Sequence, residues 1–299
     1  MMRIEDLHTR ATLVALHITT WSARKFDRAV TNKINSDHGL AGDAGRYNKR
    51  LLAPQVGAND SYKALIRVCN AARTSHYENT LAWGDDGSRC LPSANYLVYM
   101  GIMRQHESDF VEARRTFDGD YPMLVDAARQ WLRPVEDGGM FRESDYPSLA
   151  TVSARFTFRI DPKPLPTAGD FRVTLPAAEM DALRAAVEHN VRQAADEAVS
   201  DARKRLISVV ESIVERLSEP EKTFHDTLIG NARNLTDVLS RLNVMGDPEI
   251  EAMRQRVENE LTNVEPQTLR DEPTIRKAVA QSAKKILVDM NQYSRRVKS

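Results

Sequence analysis

The aromatic residues of this chain are placed so unevenly that they rule out a single uniform core. Of eight Phe, eight Tyr and three Trp, seventeen lie at or before Phe171, and only Phe224 and Tyr293 follow. The C-terminal part must therefore bury Leu, Val, Ile and Ala. This pattern predicts a compact aromatic head followed by a long helical body, an architecture suited to holding molecules together or wrapping around them.

The body is read from its apolar spacing. After Pro176, a residue tolerated in a first helical turn, Met180, Leu183, Val187, Val191, Ala194, Ala198, Ala202, Leu206, Val209, Ile213 and Leu217 recur at steps of three and four. The mean step, about 3.7, is nearer an eleven-residue repeat than a heptad and favours a straight or slightly right-handed bundle. Forty residues of such helix span about 60 Å. Ser218-Glu219-Pro220-Glu221 reads as a break and capping box that restarts a helix running to Gly246. Asp247-Pro248 and Asp271-Glu272-Pro273 start two more, so a bundle is expected over about 176–299.

The head is expected over about 1–150. Thr12–Thr20 has the length of a strand, and Ser22 is expected to cap a helix carrying Ala23, Phe26, Val30 and Ile34. A helix capped at Asn59 or Asp60 follows, with Tyr62, Leu65, Ile66, Cys69 and Ala72 on one side. Thr80–Leu91 reads as a hairpin about an Asp-Gly-type turn. Helices are expected at about 93–116 and 121–132, the second ended by Pro134. Alternation over Thr151–Ile160 predicts a strand returning through Phe171, Val173 and Leu175, a hairpin junction at about 151–175. The fold class is mainly α (α+β).

Composition excludes several classes. Charged residues are 28% of the chain and cancel to zero, so nucleic acid can be held only by local patches and not by bulk charge. Arg3, Glu5, Asp6, His8 and Arg10 are foreign to a secretory leader, and no apolar run reaches membrane-spanning length. Cys69 and Cys90 are too few for a disulfide framework. The expectation is a cytoplasmic protein without membrane contact and without a cofactor.

The first candidate site is cationic and aromatic. Trp21, Arg24, Lys25, Arg28 and Lys33 precede Arg46, Tyr47, Lys49 and Arg50, and the interval holds only Asp27, Asp37 and Asp43 as acids. Guanidinium groups beside stackable rings suit a phosphate backbone with unstacked bases; the plainer reading is a solvated helix face beside a buried Trp. Arg155, Arg159 and Arg172 form a second set, on the outer face of the expected hairpin, where positive charge also deters edge pairing. The last helix and tail supply a third, Arg276, Lys277, Lys284, Lys285, Arg295, Arg296 and Lys298 against Asp289 alone, a bias that also complements a helix dipole.

Signals for catalysis are weaker. Gly39–Gly45 is glycine-rich but lacks the Lys and hydroxyl of a phosphate loop. Cys69, His76 and Cys90 lack the paired spacing of a zinc site. His76 and Glu78 with the Asp85-Asp86 turn suggest acid–base chemistry only if the fold gathers them. His106, Glu107 and Asp109 lack metalloprotease spacing, and no catalytic triad emerges.

Three stretches, Trp21-Ser-Ala-Arg-Lys-Phe-Asp27, Gly45-Arg-Tyr-Asn-Lys-Arg-Leu-Leu52, and Ala72-Arg-Thr-Ser-His-Tyr77 running on through Thr80-Leu-Ala-Trp83 to Pro92, resemble an uncharacterised family of tailed phages and prophages of proteobacteria. The resemblance implies a phage-encoded protein inside a bacterial host. The family carries no established activity, so no catalytic residue is transferred. The resulting expectation is a non-enzymatic, self-associating protein that engages nucleic acid, single-stranded in preference to duplex, through its basic and aromatic patches. The alternative is a helical scaffold or adaptor for another phage or host protein, and a third is an enzyme centred on His76 and the Asp85-Asp86 turn.

Overall fold

The stripe that begins after Pro176 folds as one helix, α6 (Ala177–Leu217), which buries Ala194, Ala198, Ala202, Leu206, Ile213 and Leu217 as the spacing requires. This computed structural model describes residues 7–40, 42, 44–55, 57, 59–167, 176–219 and 221–296, without the side chains of 293–296. It is 66% helical with a small four-stranded antiparallel sheet and long C-terminal helices, which makes the fold mainly α (α+β).

The chain divides into two compact units, each assembled from separate segments. One comprises residues 1–15, 76–101 and 161–299; the other comprises 16–75 and 102–160. The expected head, hairpin junction and bundle are thus not where the units fall. The reason is visible in the cores. Leu13, Leu81, Trp83 and Cys90 from the N-terminal third share an aliphatic core with Ala194, Ala198 and the helices that follow. Trp21, Phe110, Phe117, Tyr121, Phe141 and Phe156 form a separate aromatic core. The compositional asymmetry marks two chemically different cores, not two halves of the sequence.

In the aliphatic unit, a short helix α1 (Leu7–Arg10) leads into β1 (Ala11–Thr19). β4 (Leu81–Ala82) and β5 (Arg89–Pro92) form the expected hairpin, with Gly87 at φ 80° in its turn, a conformation that suits glycine. β5 pairs antiparallel with β1, Ala11 against Pro92 through Val14 against Arg89. The sheet order is β4-β5-β1-β6, with β6 at Thr157–Lys163. Beyond α6 come α7 (Thr227–Leu242), α8 (Pro248–Leu261), α9 (Pro266–Asp271) and α10 (Pro273–Arg296). Asp247 caps α8 through the Glu249 and Ile250 N–H groups, but the expected restart at Ser218–Glu221 does not occur. There Arg276 donates to the carbonyl oxygens of Arg216, Glu219 and Lys222, satisfying acceptors that a helix end leaves open. The Phe224 ring, just before α7, lies under the guanidinium groups of Arg270 and Arg276 at 5.0 and 5.4 Å.

Three expectations fail in the aromatic unit. Arg24–Phe26 is a strand, β2, and helix α2 (Arg28–Asp37) starts only after Asp27, whose carboxylate accepts from the Val30 N–H. Ala23, with φ 51°, breaks any helix from Ser22. The two helices expected before Pro134 are one, α4 (Ser93–Leu132), with Pro122 inside it. Phe117, Tyr121, Leu124 and Ala128 are buried on one stripe through the proline, and this packing outweighs the roughly 3 kcal/mol an interior proline costs. Thr151–Ser153 belongs to helix α5 (Leu149–Ser153), capped by Ser148, so the strand begins later, at Thr157, and pairs with β1. The return strand through Phe171, Val173 and Leu175 lies outside the described residues. α3 (Asp60–Glu78) forms as read, with Leu65, Cys69 and Ala72 fully buried.

Candidate nucleic-acid interface

β2 and β3 (Asn48–Arg50) form a two-stranded antiparallel ribbon in the aromatic unit. Arg24 stands opposite Arg50, Lys25 opposite Lys49 and Phe26 opposite Asn48. The Leu51 N–H donates to the Ala23 carbonyl and the Asp27 N–H to the Tyr47 carbonyl, both at 2.9 Å. Counting inward from these, Arg24/Arg50 is a non-hydrogen-bonded pair, the kind in which side chains approach most closely.

Alternation sorts the ribbon into two faces. Lys49 points inward and is 3% exposed. Its ammonium lies 2.7 Å from the Asp145 carboxylate and 3.4 Å from that of Asp27, and donates to the Met140 carbonyl at 2.6 Å. Burial raises the Asp27 pKa, but the Val30 N–H and the Lys49 charge more than offset it and hold it below its ordinary value. Arg24, Phe26, Asn48 and Arg50 share the other face and are exposed. The Arg46 guanidinium lies over the Phe26 ring, 5.6 Å from its centre. Among the described residues, Arg24, Lys25, Arg28 and Arg50 donate no side-chain hydrogen bond and enter no ion pair. Like charges set directly opposite destabilise a ribbon, and Arg28, in the first turn of α2, stands at the positive end of its helix. The fold gains nothing from this placement; an anion on the outer face would.

The structure sorts the sequence candidates accordingly. Trp21 is 2% exposed, packed by Tyr62, Phe117 and Tyr121 with ring centres 5.9 to 6.5 Å away. It offers no face to a base, so its expected stacking role is withdrawn, as is the phosphate role of Lys49, which serves the buried Asp27 and the half-buried Asp145 carboxylates. Tyr47 is 39% exposed and, with Arg24, Lys25, Arg28, Arg46 and Arg50, stays on the accessible surface. The sequence reading missed Phe26 as a surface ring, because helical spacing assigned it to a core face.

The other basic sets do not assemble. Arg155 precedes β6, Arg159 lies within it and already has a partner, and Arg172 lies outside the described residues. In the third set, Arg276 is committed to backbone carbonyls, while Lys277, Lys284 and Lys285 are exposed on α10; the side chains of Arg295 and Arg296, and all of Lys298, are outside the described residues.

The acid–base candidates are also placed. His76 is buried with its Nδ1 2.8 Å from the Tyr99 hydroxyl. Burial and then Arg89 depress its pKa to about 4, so it is neutral near pH 7. Burial pushes the Cys90 thiol up to about 12 and raises that of Cys69. Asp86 accepts from the N–H and hydroxyl of Ser88, a turn role. His106 bonds Ser75 at 2.8 Å. No group of three or more His, Cys, Asp and Glu among the described residues is arranged to hold a metal, and no helix there is long and apolar enough to cross a membrane. Compared with protein-family models, curated proteins and solved structures, the chain matches none.

Proposed function

We propose that this protein binds nucleic acid, single-stranded in preference to duplex, on the outer face of the β2–β3 ribbon, and that it self-associates and catalyses no reaction on the strand. The observation that carries the reading is the Arg24/Arg50 pair: two exposed guanidinium groups directly opposed, with Arg46 over Phe26 on the same face and no acid among the described residues engaged by Arg24 or Arg50. Phosphate groups relieve that repulsion. Exposed Phe26 and Tyr47 offer ring surface to unstacked bases, which a duplex does not present. The bacteriophage setting is supported by the sequence resemblance.

The test is fluorescence anisotropy of labelled single-stranded and duplex oligonucleotides across a salt series. Four phosphate contacts on a single strand give a slope of log affinity on log salt of about −3. Absent binding, or binding indifferent to salt, sinks the proposal.

A second reading, a helical scaffold without nucleic acid, is favoured by one observation. Met180, Leu183, Val187 and Val191 continue the α6 stripe but are only half-buried, whereas Ala194, Ala198, Ala202, Leu206, Ile213 and Leu217 are buried. An apolar stripe left partly open over about three turns suits self-association or a partner helix. Light scattering on the protein alone tests this separately from the oligonucleotide experiment.

A further inference from the structure

In the aliphatic unit, α6 and α7 border a groove of about 680 Å³ near β5, within the size range of small-molecule sites. Its apolar lining is Val209, Leu235 and Val238. At one side Arg89 stacks on the ring of Tyr77, 4.7 Å from its centre, and donates to the Thr80 hydroxyl at 2.7 Å. Arg205 donates to the carbonyls of Glu78 and Thr80 and, at 2.7 Å, to the Asp201 carboxylate. Both guanidinium groups are thereby held in fixed positions and share a single ion-paired acid, Asp201.

Several other polar side chains of the groove have no such duty. Lys204, Ser208, Asn231 and Asn234 are exposed, and their side chains make no hydrogen bond or ion pair among the described residues. Asn231 and Asn234 lie three apart on α7 and so share a face. Tyr77 is 57% exposed although Arg89 lies over its ring. Cations number three (Arg89, Lys204, Arg205) against two acids (Glu78, Asp201), one of them already neutralised.

We infer that this groove is a nucleotide site, taking one base and its phosphate, either as a free nucleoside monophosphate or as one unit of a strand. An aromatic ring and an aliphatic floor accept the faces of a base. Paired carboxamides supply the donor and acceptor that a base edge requires. Lys204 and the anchored Arg89 supply the charge for phosphate. A purely apolar ligand would leave the carboxamides unused, and a compact inorganic anion would leave the ring and floor unused. The inference uses residues separate from the ribbon and stands whether or not the ribbon binds nucleic acid.

The probes are radiolabelled AMP, GMP, CMP and UMP in equilibrium dialysis, with a tetranucleotide as a second arm. At least one monophosphate is expected to bind saturably below about 1 mM, an affinity of roughly 4 kcal/mol. Tighter binding of the tetranucleotide alone would assign the groove to a strand. Tyr77→Leu is expected to weaken binding roughly 5-fold or more, as loss of a stacking partner does. Lys204→Ala and Asn234→Ala remove exposed, unengaged side chains, so they leave thermal stability unchanged while weakening binding. Arg24→Glu on the ribbon leaves mononucleotide binding intact. The inference is overturned if no probe binds saturably at millimolar concentration, or if Lys204→Ala, Asn234→Ala and Tyr77→Leu all bind as the unaltered protein does.

Discussion

Arg24 and Arg50 face each other across the β2–β3 ribbon in a non-hydrogen-bonded pair, both exposed and neither ion-paired among the described residues. The arrangement separates stability from binding. Arg24→Glu converts a like-charge pair into an opposite-charge pair, which should raise stability by about 0.2–1 kcal/mol. The same change should abolish oligonucleotide binding. Paired thermal unfolding and anisotropy measurements check both signs, and a variant that loses binding together with stability would argue against a surface role.

Lys25 and Lys49 are cross-strand partners with opposite duties, and substitution should show it. Lys49→Met leaves the buried Asp27 and the half-buried Asp145 carboxylates without their cation, a loss expected to cost about 3–5 kcal/mol. Lys25→Met, at an exposed position, should change stability by no more than about 0.5 kcal/mol. Denaturant unfolding of the two variants, side by side, distinguishes them.

How far the sequence could be read follows from the same residues. Elements with a long or clean period were legible: α3, α6, β1 and the β4–β5 hairpin each stand close to where spacing and turn chemistry put them. The segment from Ser22 to Asp37 was not, because Ala23, Phe26, Val30 and Ile34 carry helical spacing while the positive φ of Ala23 and the Asp27 cap impose strand, then helix. The cations of the site were visible in sequence. Which of them were free was not, since the partner that claims Lys49 most closely, Asp145, is remote in sequence and Trp21 is buried by α3 and α4 residues. The division into two units was hidden for the same reason: alternation and periodicity report local faces, whereas the shared core of Leu13, Trp83 and Ala194 is a long-range fact.

Pro122 is exposed in the middle of α4. It cannot donate to the Asp118 carbonyl, the bond a helix would make there. Pro122→Ala should therefore restore a hydrogen bond without disturbing the buried stripe and raise stability by about 1–3 kcal/mol. Denaturant unfolding measures it; an unchanged or lowered stability would mean that α4 requires the proline for its course past Phe117 and Tyr121.

His76 should make the protein acid-sensitive above the carboxylate range. Its pKa is about 4 in the fold, against an ordinary value of 6.5. Between those values the unfolded chain binds the extra proton, so stability is fully present above pH 6.5 and is lost as pH falls toward 4. The integrated loss is roughly 3 kcal/mol. His76→Gln keeps a polar partner for the Tyr99 hydroxyl and removes the titration. Its stability should be nearly flat over that window while the unaltered protein declines; parallel slopes would assign the acid sensitivity to other groups.

The half-buried start of the α6 stripe gives the remaining prediction. Leu183 and Val187 lie one turn apart, N-terminal to the first fully buried position of the helix, and are only partly covered. If they are the self-association surface, Leu183→Glu places a charge where a second copy packs and shifts the protein toward monomer. Ala198→Glu, by contrast, buries a charge at a fully covered position and should unfold the unit. Light scattering over a concentration series separates the two effects: a folded Leu183→Glu protein of unchanged mass would remove α6 from the association surface and leave the ribbon proposal standing without it.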